Sequence, residues 1–418
     1  MAHNRRVKKS SKHNINMKTI PYGRQWIDES DIESVVNILK GDWLTQGCKV
    51  NEFEEALAAY CGVRYAVAVN SGTSALHITC LAADVKDGDD VITSPITFVA
   101  SANCAVYCGA KPVFTDVDPR TYNVTSDKIE KKINTQTKAI IPVHFAGQSC
   151  DMESIHKVIK SKEKEFNKKI FVIEDACHAL GSLYKNKQVG SCIYSDMTVL
   201  SFHPVKHITV GEGGAVLTND EVLYNKLKRF RSHGITNNPD EFVYKEQAFV
   251  NPQSAIENPQ SVNPWYYEQV GLGYNYRITD IQCALGISQL KKLRDFSNRR
   301  REIVDMYNDA FRNIESIQIP YEPDDCNSNF HLYVLLIDFD QMGIKRSQFM
   351  NDLKKKGILT QVHYIPVNTQ PYYQEKFGTG WGDCPNAEEY YQKCLSIPLF
   401  PSMTNIDVER VINSIKGN

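Results

Sequence analysis

The stretch that decides the fold is Ser201–Gly214, which reads SFHPVKHITVGEGG. Its lysine, Lys206, follows the β-branched apolar run Thr198–Phe202 and precedes a turn that contains three glycines. Glycine permits positive φ angles and close backbone approach, so the pattern predicts a tight turn between two strands. A lysine on such a turn can be shielded from water, which lowers the pKa of its amine and makes it a nucleophile toward carbonyl carbon.

Two upstream stretches supply complementary groups. Ile170–Asp175 (IFVIED) is an apolar strand that ends in a carboxylate, and Val69–Leu76 (VNSGTSAL) is a strand-to-helix turn. The free N–H groups and the dipole of a helix start favour an anion there. A reactive lysine, a strand-end carboxylate and an anion-binding helix start are the parts that hold pyridoxal phosphate (PLP). We therefore expect Lys206 to form a Schiff base, Asp175 to pair with the pyridinium nitrogen, and the phosphate to be bound by Gly72, Thr73 and Ser74.

Three further residues complete the predicted cofactor site. Ser201 precedes the lysine by five positions and can add a hydroxyl to the phosphate. His178 follows Asp175 by three positions and can contact the ring, and Phe98 can stack on the ring. Each residue also has an ordinary structural interpretation, because strand-end Asp caps helices and most phenylalanines are core residues. The order of the motifs along the chain, rather than any one of them, favours PLP.

Composition excludes several classes of function. The chain has 418 residues, of which 42% are hydrophobic and 23% charged, and its net charge is -1. These values are typical of a globular protein with more than one lobe, without a nucleic-acid or membrane signature. The twelve cysteines form no Cys-x-x-Cys pair, so we expect no metal site and reduced cysteines, as in a cytoplasmic protein.

Short β-rich runs alternate with helical patterns through the first two thirds of the chain, which predicts an α/β domain with a mostly parallel central sheet. In such sheets ligands bind beyond the carboxyl ends of the strands, where His144, Asp175 and Ser201 are expected. The predicted strands are Ala66–Val69, Val91–Thr93, Pro112–Asp116, Ala139–His144, Ile170–Glu174, Thr198–Phe202 and Ala215–Thr218.

The predicted division of the chain has three parts. Residues 1–16 are polar and basic and are expected to be a disordered extension. Residues 17–280 form the N-terminal segment and the large PLP-binding domain, in which 236–265 is a surface insertion rich in Pro, Asn, Gln and Ser. Residues 281–418 form a smaller C-terminal α/β domain, with strands at Phe330–Asp338 and Ile358–His363 around a helix at Ser347–Lys356.

Seven strings together resemble the sugar aminotransferases of the DegT/DnrJ/EryC1/StrS family, from about Ile20 to the C-terminus. They are Pro21–Gln25 (PYGRQ), Asp42–Gly47 (DWLTQG), Asn70–His77 (NSGTSALH), Val143–Gln148 (VHFAGQ), Ile173–Gly181 (IEDACHALG), Ser201–Lys206 (SFHPVK) and Gly273–Asp280 (GYNYRITD).

The resemblance implies the PLP-dependent transferase fold type I, the architecture of aspartate aminotransferase. It also implies a homodimer with shared active sites, in which Asn275 reaches the cofactor phosphate of the neighbouring subunit. The implied substrates are glutamate and a nucleotide-linked keto sugar. Local family similarity suggests Arg277 and His331 as residues that contact the substrate diphosphate.

Within the family, four strings are similar to the branch that makes pseudaminic acid precursors: Ser201–Lys206 (SFHPVK), Arg231–Ile235 (RSHGI), Pro264–Glu268 (PWYYE) and Gln361–Val367 (QVHYIPV). That branch aminates C4 of a UDP-linked 4-keto-6-deoxy-N-acetylhexosamine. Alternatives stay open: a dTDP- or GDP-linked keto sugar, a regulatory protein that keeps the fold without turnover, and nucleic-acid binding by the basic extension. A sugar dehydratase of the family has histidine in place of the anchoring lysine, so Lys206 argues against it.

Overall fold

The structure, a computed structural model, describes residues 18–248 and 263–417. The predicted disordered extension and the middle of the predicted insertion therefore lie outside the described residues. The helices are α1 Glu29–Leu39, α2 Cys48–Cys61, α3 Gly72–Ala82, α4 Ala100–Tyr107, α5 Ser126–Glu130, α6 Met152–Phe166, α7 Glu221–Arg231, α8 Lys245–Ala248, α9 Asp280–Phe311, α10 Arg346–Lys355, α11 Pro371–Phe377, α12 Pro385–Lys393 and α13 Asn405–Lys416. The strands are β1 Tyr65–Val69, β2 Asp90–Thr93, β3 Lys111–Phe114, β4 Thr137–Ile141, β5 Phe171–Asp175, β6 Leu183–Tyr184, β7 Lys187–Gln188, β8 Met197–Ser201, β9 Gly214–Thr218, β10 Ile235–Thr236, β11 Glu268–Gln269, β12 Ile317–Gln318, β13 Cys326–Asn327, β14 Tyr333–Ile337 and β15 Cys394–Ile397.

The central sheet has seven strands in the order β1-β9-β8-β5-β4-β2-β3. The pairs β2–β3, β2–β4, β4–β5 and β5–β8 are parallel, whereas β9 runs antiparallel to both of its neighbours, β1 and β8. Helices cover both faces, so the strands are buried on both sides and consist of nearly continuous apolar residues. The predicted mostly parallel sheet is confirmed, and all seven predicted strands belong to it.

Alternation along the strands assigns side chains to the two helical layers. Val67 and Val69 of β1 pack in a cluster with residues of α3, α4 and α7, whereas Ala66 and Ala68 pack in a cluster with residues of α2 and α9. This period of two is the geometry of an extended strand with both faces covered. The first residues of α3 and α4 lie just beyond the carboxyl ends of β1 and β2, which places helix starts at one edge of the sheet.

A second apolar cluster lies in the C-terminal part of the chain. It joins α10, α13 and the antiparallel strands β12, β14 and β15 to the second half of α9, from Ile303 to Phe311, and to Ile20 of the N-terminal segment. The first half of α9, as far as Leu293, packs against the central sheet instead. The change from one core to the other thus falls within α9, between Leu293 and Ile303, whereas the sequence places the domain boundary at residue 281.

The prediction of a strand at Ile358–His363 is wrong. This segment makes only isolated bridges, from Ile358 to Ile20 and from Gln361 to Ser396. The place beside β14 is taken by β15, whose four residues are all buried and pair with Tyr333–Leu336. The helix predicted at Ser347–Lys356 is present as α10.

The flanks of the predicted insertion are described by the structure. Ile235–Thr236 pairs antiparallel with Glu268–Gln269, and the short helix α8 lies between them in the chain. In the described part of the chain, no helix combines the length and the apolar character that a membrane span needs.

Candidate active site

A cavity of about 460 Å³ opens at the carboxyl ends of β1, β2, β5 and β8. Its volume lies within the range of small-molecule sites in proteins. Most of the side chains come from the loops that follow these strands and from two segments of the C-terminal part, around His331 and His363. The residues that line it are Tyr22, Ser71, Gly72, Thr73, Leu76, Thr97, Phe98, Ala100, Ser101, Val143, Asp175, Cys177, His178, Ser201, His203, Val205, Lys206, Glu212, His331, His363 and Tyr364.

Lys206 lines this cavity on the loop between β8 and β9. Its backbone N–H donates to the carbonyl of His203 at 2.8 Å, which closes a turn immediately after the strand. Desolvation lowers the pKa of the Lys206 amine, and the nearby Cys177 and Asp175 offset part of this effect. The amine is therefore neutral, and nucleophilic, at a lower pH than that of an exposed lysine.

Asp175 is the last residue of β5, and both of its carboxylate oxygens accept hydrogen bonds. The hydroxyl of Ser101 donates to Oδ2 at 2.6 Å, and the backbone N–H of Cys177 donates to Oδ1 at 3.2 Å. Asp175 is 5% exposed. These bonds fix the direction of the carboxylate, which then has free lone pairs for one further donor.

The start of α3 has the geometry that can bind an anion. Ser71 is the N-cap residue, and its hydroxyl accepts the backbone N–H of Ser74 at 3.1 Å. The N–H groups of Gly72 and Thr73 belong to the first turn, where a helix offers no carbonyl partner. Ser201 lies directly beside this turn, because a Cβ on Gly72 would stand 3.3 Å from its Oγ.

The backbone at Gly214, in the turn after Lys206, passes very close to the backbone of Ser71 and Gly72, which explains why this position is glycine. A Cβ on Gly214 would lie 2.6 Å from the carbonyl oxygen of Ser71 and 2.7 Å from the N–H of Gly72. Only glycine fits so near another main chain. The lysine loop and the start of α3 are thus joined through the first residue of β9.

Aromatic and imidazole rings form the remaining walls. Phe98 lies at the start of α4 with 61% of its surface exposed, and it borders the cavity. The rings of His178 and His331 are 4.3 Å apart, and the Nε2 of His178 lies 3.3 Å from the hydroxyl of Tyr364. Burial, followed by the charge of Lys206, lowers the pKa of His178 well below its usual value, so this imidazole is neutral at pH 7.

The chain matches the DegT/DnrJ/EryC1/StrS aminotransferase family over residues 25–416. The chain belongs to this family. Its relative SpsC of Bacillus subtilis, a spore coat polysaccharide biosynthesis protein, is 40% identical over 95% of this chain and 96% of its own length.

Solved structures agree with this assignment. The first is PseC of Helicobacter pylori, an aminotransferase involved in the biosynthesis of pseudoaminic acid, with a TM-score of 0.83, 33% identity, and coverage of 96% of this chain and 99% of its own. The second is Spr1654 of Streptococcus pneumoniae in its PLP form, with a TM-score of 0.83, 29% identity, and coverage of 96% and 98%. Spr1654 has also been solved in its PMP form.

This member of the DegT/DnrJ/EryC1/StrS family is thus a PLP-dependent sugar aminotransferase of fold type I. The fold class, the enzyme class and the cofactor predicted from sequence are confirmed. The cavity fits the cofactor on its own evidence, because it brings together a desolvated lysine, an oriented carboxylate and a helix start with unpaired N–H groups. The Nδ1 atoms of His178 and His331 are also buried without a protein partner, so the cavity offers further groups to a polar ligand.

The structure brings together most of the predicted site residues. The cavity is lined by Gly72, Thr73, Phe98, Asp175, His178, Ser201, Lys206 and His331. Ser74 lies in the same turn but is buried, and its hydroxyl donates to the side-chain carbonyl of Asn70 at 2.7 Å. Asn275 and Arg277 are outside the cavity of their own chain, on the segment that bridges to Ser232 and Val69.

His144 does not face the crevice, contrary to expectation. It is fully buried, with Nε2 2.7 Å from Oε2 of Glu174 and Nδ1 accepting the N–H of Cys150. Burial alone would raise the pKa of Glu174, but hydrogen bonds from His144 and from the hydroxyls of Ser195 and Thr198 outweigh it and lower that pKa. Because Glu174 points away from the adjacent Asp175 along the strand, this network supports β5 from behind the site.

Sequence reasoning missed several residues of the cavity. Tyr22, His363 and Tyr364 come from distant segments, and their rings pack against each other, with centroids 5.3 Å apart for Tyr22 and His363. The strings PYGRQ and QVHYIPV contain them and could have suggested a role. Ser101 and Thr97 carry no local signal, since Ser101 matters through its contact with Asp175 and Thr97 through its contact with Ser101.

Proposed function

We propose that this enzyme transfers the amino group of glutamate to C4 of a UDP-linked 4-keto-6-deoxy-N-acetylhexosamine. The product would serve the biosynthesis of pseudaminic acid or a related surface-glycan sugar. The observation that best supports amino transfer is that Lys206, Asp175 and the start of α3 line the same cavity. The sugar is supported by the similarity to PseC and by the strings around Arg231, Trp265 and His363.

We assign the cofactor contacts as follows. Lys206 would hold PLP covalently, Asp175 would accept a hydrogen bond from its protonated ring nitrogen, and Phe98 would stack on its ring. The phosphate would be bound by the N–H groups of Gly72 and Thr73 with the hydroxyl of Ser201. Ser74 supports this turn from inside by its bond to Asn70.

When bound, PLP supplies an electron sink that stabilises negative charge at the carbon attached to the transferred nitrogen. The carboxylate of Asp175 keeps the ring nitrogen protonated, and the donors from Ser101 and Cys177 hold that carboxylate in place. Lys206, once free, takes the proton from the α-carbon of glutamate and later delivers a proton to C4 of the sugar. Its lowered pKa makes the neutral, proton-accepting form more accessible than in an exposed lysine.

The neutral histidines suit this exchange of protons. The pKa of His178, His207, His331 and His363 is lowered in each case, with burial as the largest cause. An uncharged imidazole can donate a hydrogen bond to a sugar hydroxyl or accept one from it, and it adds no positive charge beside Lys206. Because glutamate and the sugar react in turn beside the same lysine, we expect His331 to contact either substrate in the cavity.

The active site is proposed to be shared between two subunits. Asn275 is exposed and lies outside its own chain's cavity, on a segment where Trp265 is 75% and Leu272 74% exposed. Such an apolar surface is typical of an interface. In a homodimer Asn275 would reach the cofactor phosphate in the partner's cavity, and Arg277 would contact the diphosphate of the substrate.

The experiment that tests the substrate is a panel of 4-keto sugars linked to UDP, dTDP and GDP, with glutamate as donor. A buried hydrogen bond to the base can discriminate by several orders of magnitude, so we expect the highest kcat/KM for the UDP sugar. A preference for the dTDP or GDP sugar would refute the assignment of the nucleotide but leave aminotransfer intact. Bound cofactor without transfer to any keto sugar would favour the regulatory alternative.

A further inference from the structure

Arg300 is an unusual residue outside the cavity. It lies on α9 between the two cores and is 1% exposed, the largest of the fully buried side chains in the described residues. Its Nη1 donates to three main-chain carbonyls: Leu399 at 2.9 Å, Phe330 at 3.2 Å and His331 at 3.3 Å. Within residues 18–248 and 263–417 no carboxylate forms an ion pair with it. Burial lowers the pKa of Arg300 to about 9, which leaves it charged at pH 7.

A buried guanidinium without a carboxylate is unfavourable, since an unpaired charge loses its hydration on burial. An apolar residue of similar size would fill the same space without that penalty. The three carbonyls therefore indicate what the charge contributes: it holds the chain at Phe330–His331 and ties it to the loop after β15.

The segment that Arg300 holds is strained and delivers His331 to the cavity. Phe330 has φ of +48°, in the left-handed region that branched and bulky residues rarely adopt. On the opposite side, Nε2 of His207 lies 3.2 Å from the carbonyl of Asn329, and Asn329 donates to the carbonyl of Leu180 at 2.6 Å. His331 then packs on His178, with its own Nδ1 unpaired.

Arg300 also acts on His331 through its charge. The groups that face His331 are His178, Lys206, His207 and Arg300, and after burial they are the causes of its lowered pKa, in that order. Arg300 is the first of the charged neighbours that lower the pKa of His207. The result is a pair of neutral imidazoles beside the one lysine that exchanges protons.

We propose that Arg300 is a positioning residue for the transamination reaction, which orients His331 toward the reacting centre and adds positive charge beside it. The inference rests on the proposed role of Lys206 and His331 in the cavity, but not on the identity of the sugar. It can therefore be tested in the half-reaction with glutamate alone, which proceeds whichever nucleotide sugar is the acceptor.

The test is a double-mutant cycle of Arg300→Gln and His331→Ala, with the single-turnover rate of glutamate deamination by the holoenzyme as readout. Misplacing one group of a site can slow a reaction 10²-fold, and we expect each single variant to be slower by about tenfold to hundredfold. The double variant should be no slower than His331→Ala alone. The proposal would be overturned if the fold-losses of the two single variants multiplied in the double variant, or if either single variant had a normal rate.

Arg299→Gln is the matched control. Arg299 is the preceding residue on α9, and it pairs with Glu302 at 2.7 Å near the surface. This variant should keep the rate of the wild-type enzyme. If Arg300→Gln does not fold, Arg300→Lys retains a buried cation with three donors and should show a smaller loss with the same non-additivity.

A second readout does not depend on turnover. NMR titration of the histidines in the full-length holoenzyme identifies His331 by the signal that His331→Ala lacks. In Arg300→Gln we expect the pKa of His331 to rise, because one positive charge near it is lost, while burial still holds it below the ordinary value of about 6.5. An unchanged titration of His331 in that variant would show that Arg300 has no electrostatic role and would overturn that half of the proposal.

Discussion

The hydroxyl of Ser101 donates a hydrogen bond to Oδ2 of Asp175 across 2.6 Å, although 74 positions separate the two residues in the chain. Ser101 lies in the first turn of α4, close to Phe98, and Asp175 ends β5. The bond therefore connects the carboxylate proposed to face the ring nitrogen with the helix whose start carries the proposed stacking ring. Thr97 extends the network, since its Oγ1 lies 2.7 Å from the Oγ of Ser101.

Replacing Asp175 by Asn should leave cofactor binding largely intact and slow turnover. The amide keeps the size of the side chain but cannot keep the ring nitrogen protonated. Loss of one electrostatic contact of this kind slows enzymes by about 10²-fold or more, and we expect a kcat decrease of that size. Steady-state kinetics and the visible spectrum of the bound cofactor check this. An unchanged kcat would remove Asp175 from its proposed role.

Ser101→Ala should weaken the same function through Asp175. A hydrogen bond to a charged group contributes about 1.5–3 kcal/mol, so kcat should fall by roughly tenfold to hundredfold. Ser101→Thr retains the hydroxyl and is the control, with a rate near that of the wild type. Equal loss in the Ala and Thr variants would indicate a packing defect rather than loss of the hydrogen bond.

The fold was predictable because its signals are local. Each strand of the central sheet is an apolar run bounded by polar or turn residues, and the helix starts follow directly. The segment Ile358–His363 misled because it has the same character, yet β15 occupies the sheet position that it was expected to fill. Competition between two apolar segments for one position is decided by tertiary packing, which single-sequence patterns do not report.

The site was predictable where chemistry requires special residues in order along the chain, as with Lys206, Asp175 and the turn at Gly72. It was not predictable where function depends on a neighbour in space. His144 was expected at the crevice because it follows a strand, but its partner Glu174 holds it on the other side of the sheet. Ser101 and Arg300 carry ordinary local patterns, and only their distant partners reveal what they do.

Mixing Lys206→Ala chains with Asn275→Ala chains should restore activity if the sites are shared. Each parent is expected to be nearly inactive, because it lacks either the proton carrier or the phosphate contact. A heterodimer then contains one site with both residues intact, and random re-association should give about a quarter of wild-type activity. The control pairs Lys206→Ala with Asp175→Asn: both lie in one cavity, so this mixture should gain nothing. Full activity from a monomer in sedimentation would refute the shared site.

Gly214→Ala should weaken cofactor binding without a change in any proposed contact residue. The new Cβ would lie within 2.7 Å of Ser71 and Gly72, so the start of α3 must shift away from β9. We expect the Kd for PLP to rise by about tenfold or more, since the N–H groups lose their alignment on the phosphate. Gly380→Ala is the control, because nothing lies within 4 Å of a Cβ there. Equal affinities in the two variants would show that the crossing at Gly214 is not needed.

Acid should destabilise the protein through its buried histidines. The pKa of His178, His207, His331 and His363 is lowered in the folded state, to about 3 for His363, mainly by burial. The unfolded chain takes up protons at about pH 6.5, whereas the folded chain does not, so the free energy of unfolding is largest above pH 6.5 and falls as the pH decreases. Each such histidine contributes a slope of about 1.4 kcal/mol per pH unit below that value.

Denaturant unfolding from pH 7.5 to pH 5, at one protein concentration because the proposed dimer couples association to folding, measures this slope. His207→Gln removes one buried imidazole and should therefore reduce the slope by about 1.4 kcal/mol per pH unit. The glutamine can still donate a hydrogen bond to the carbonyl of Asn329. Stability that stays constant from pH 7.5 to pH 5.5 would contradict the neutral histidine cluster. It would then follow that these imidazoles carry protons in the folded state, and that the positive charge beside Lys206 is larger than the structure indicates.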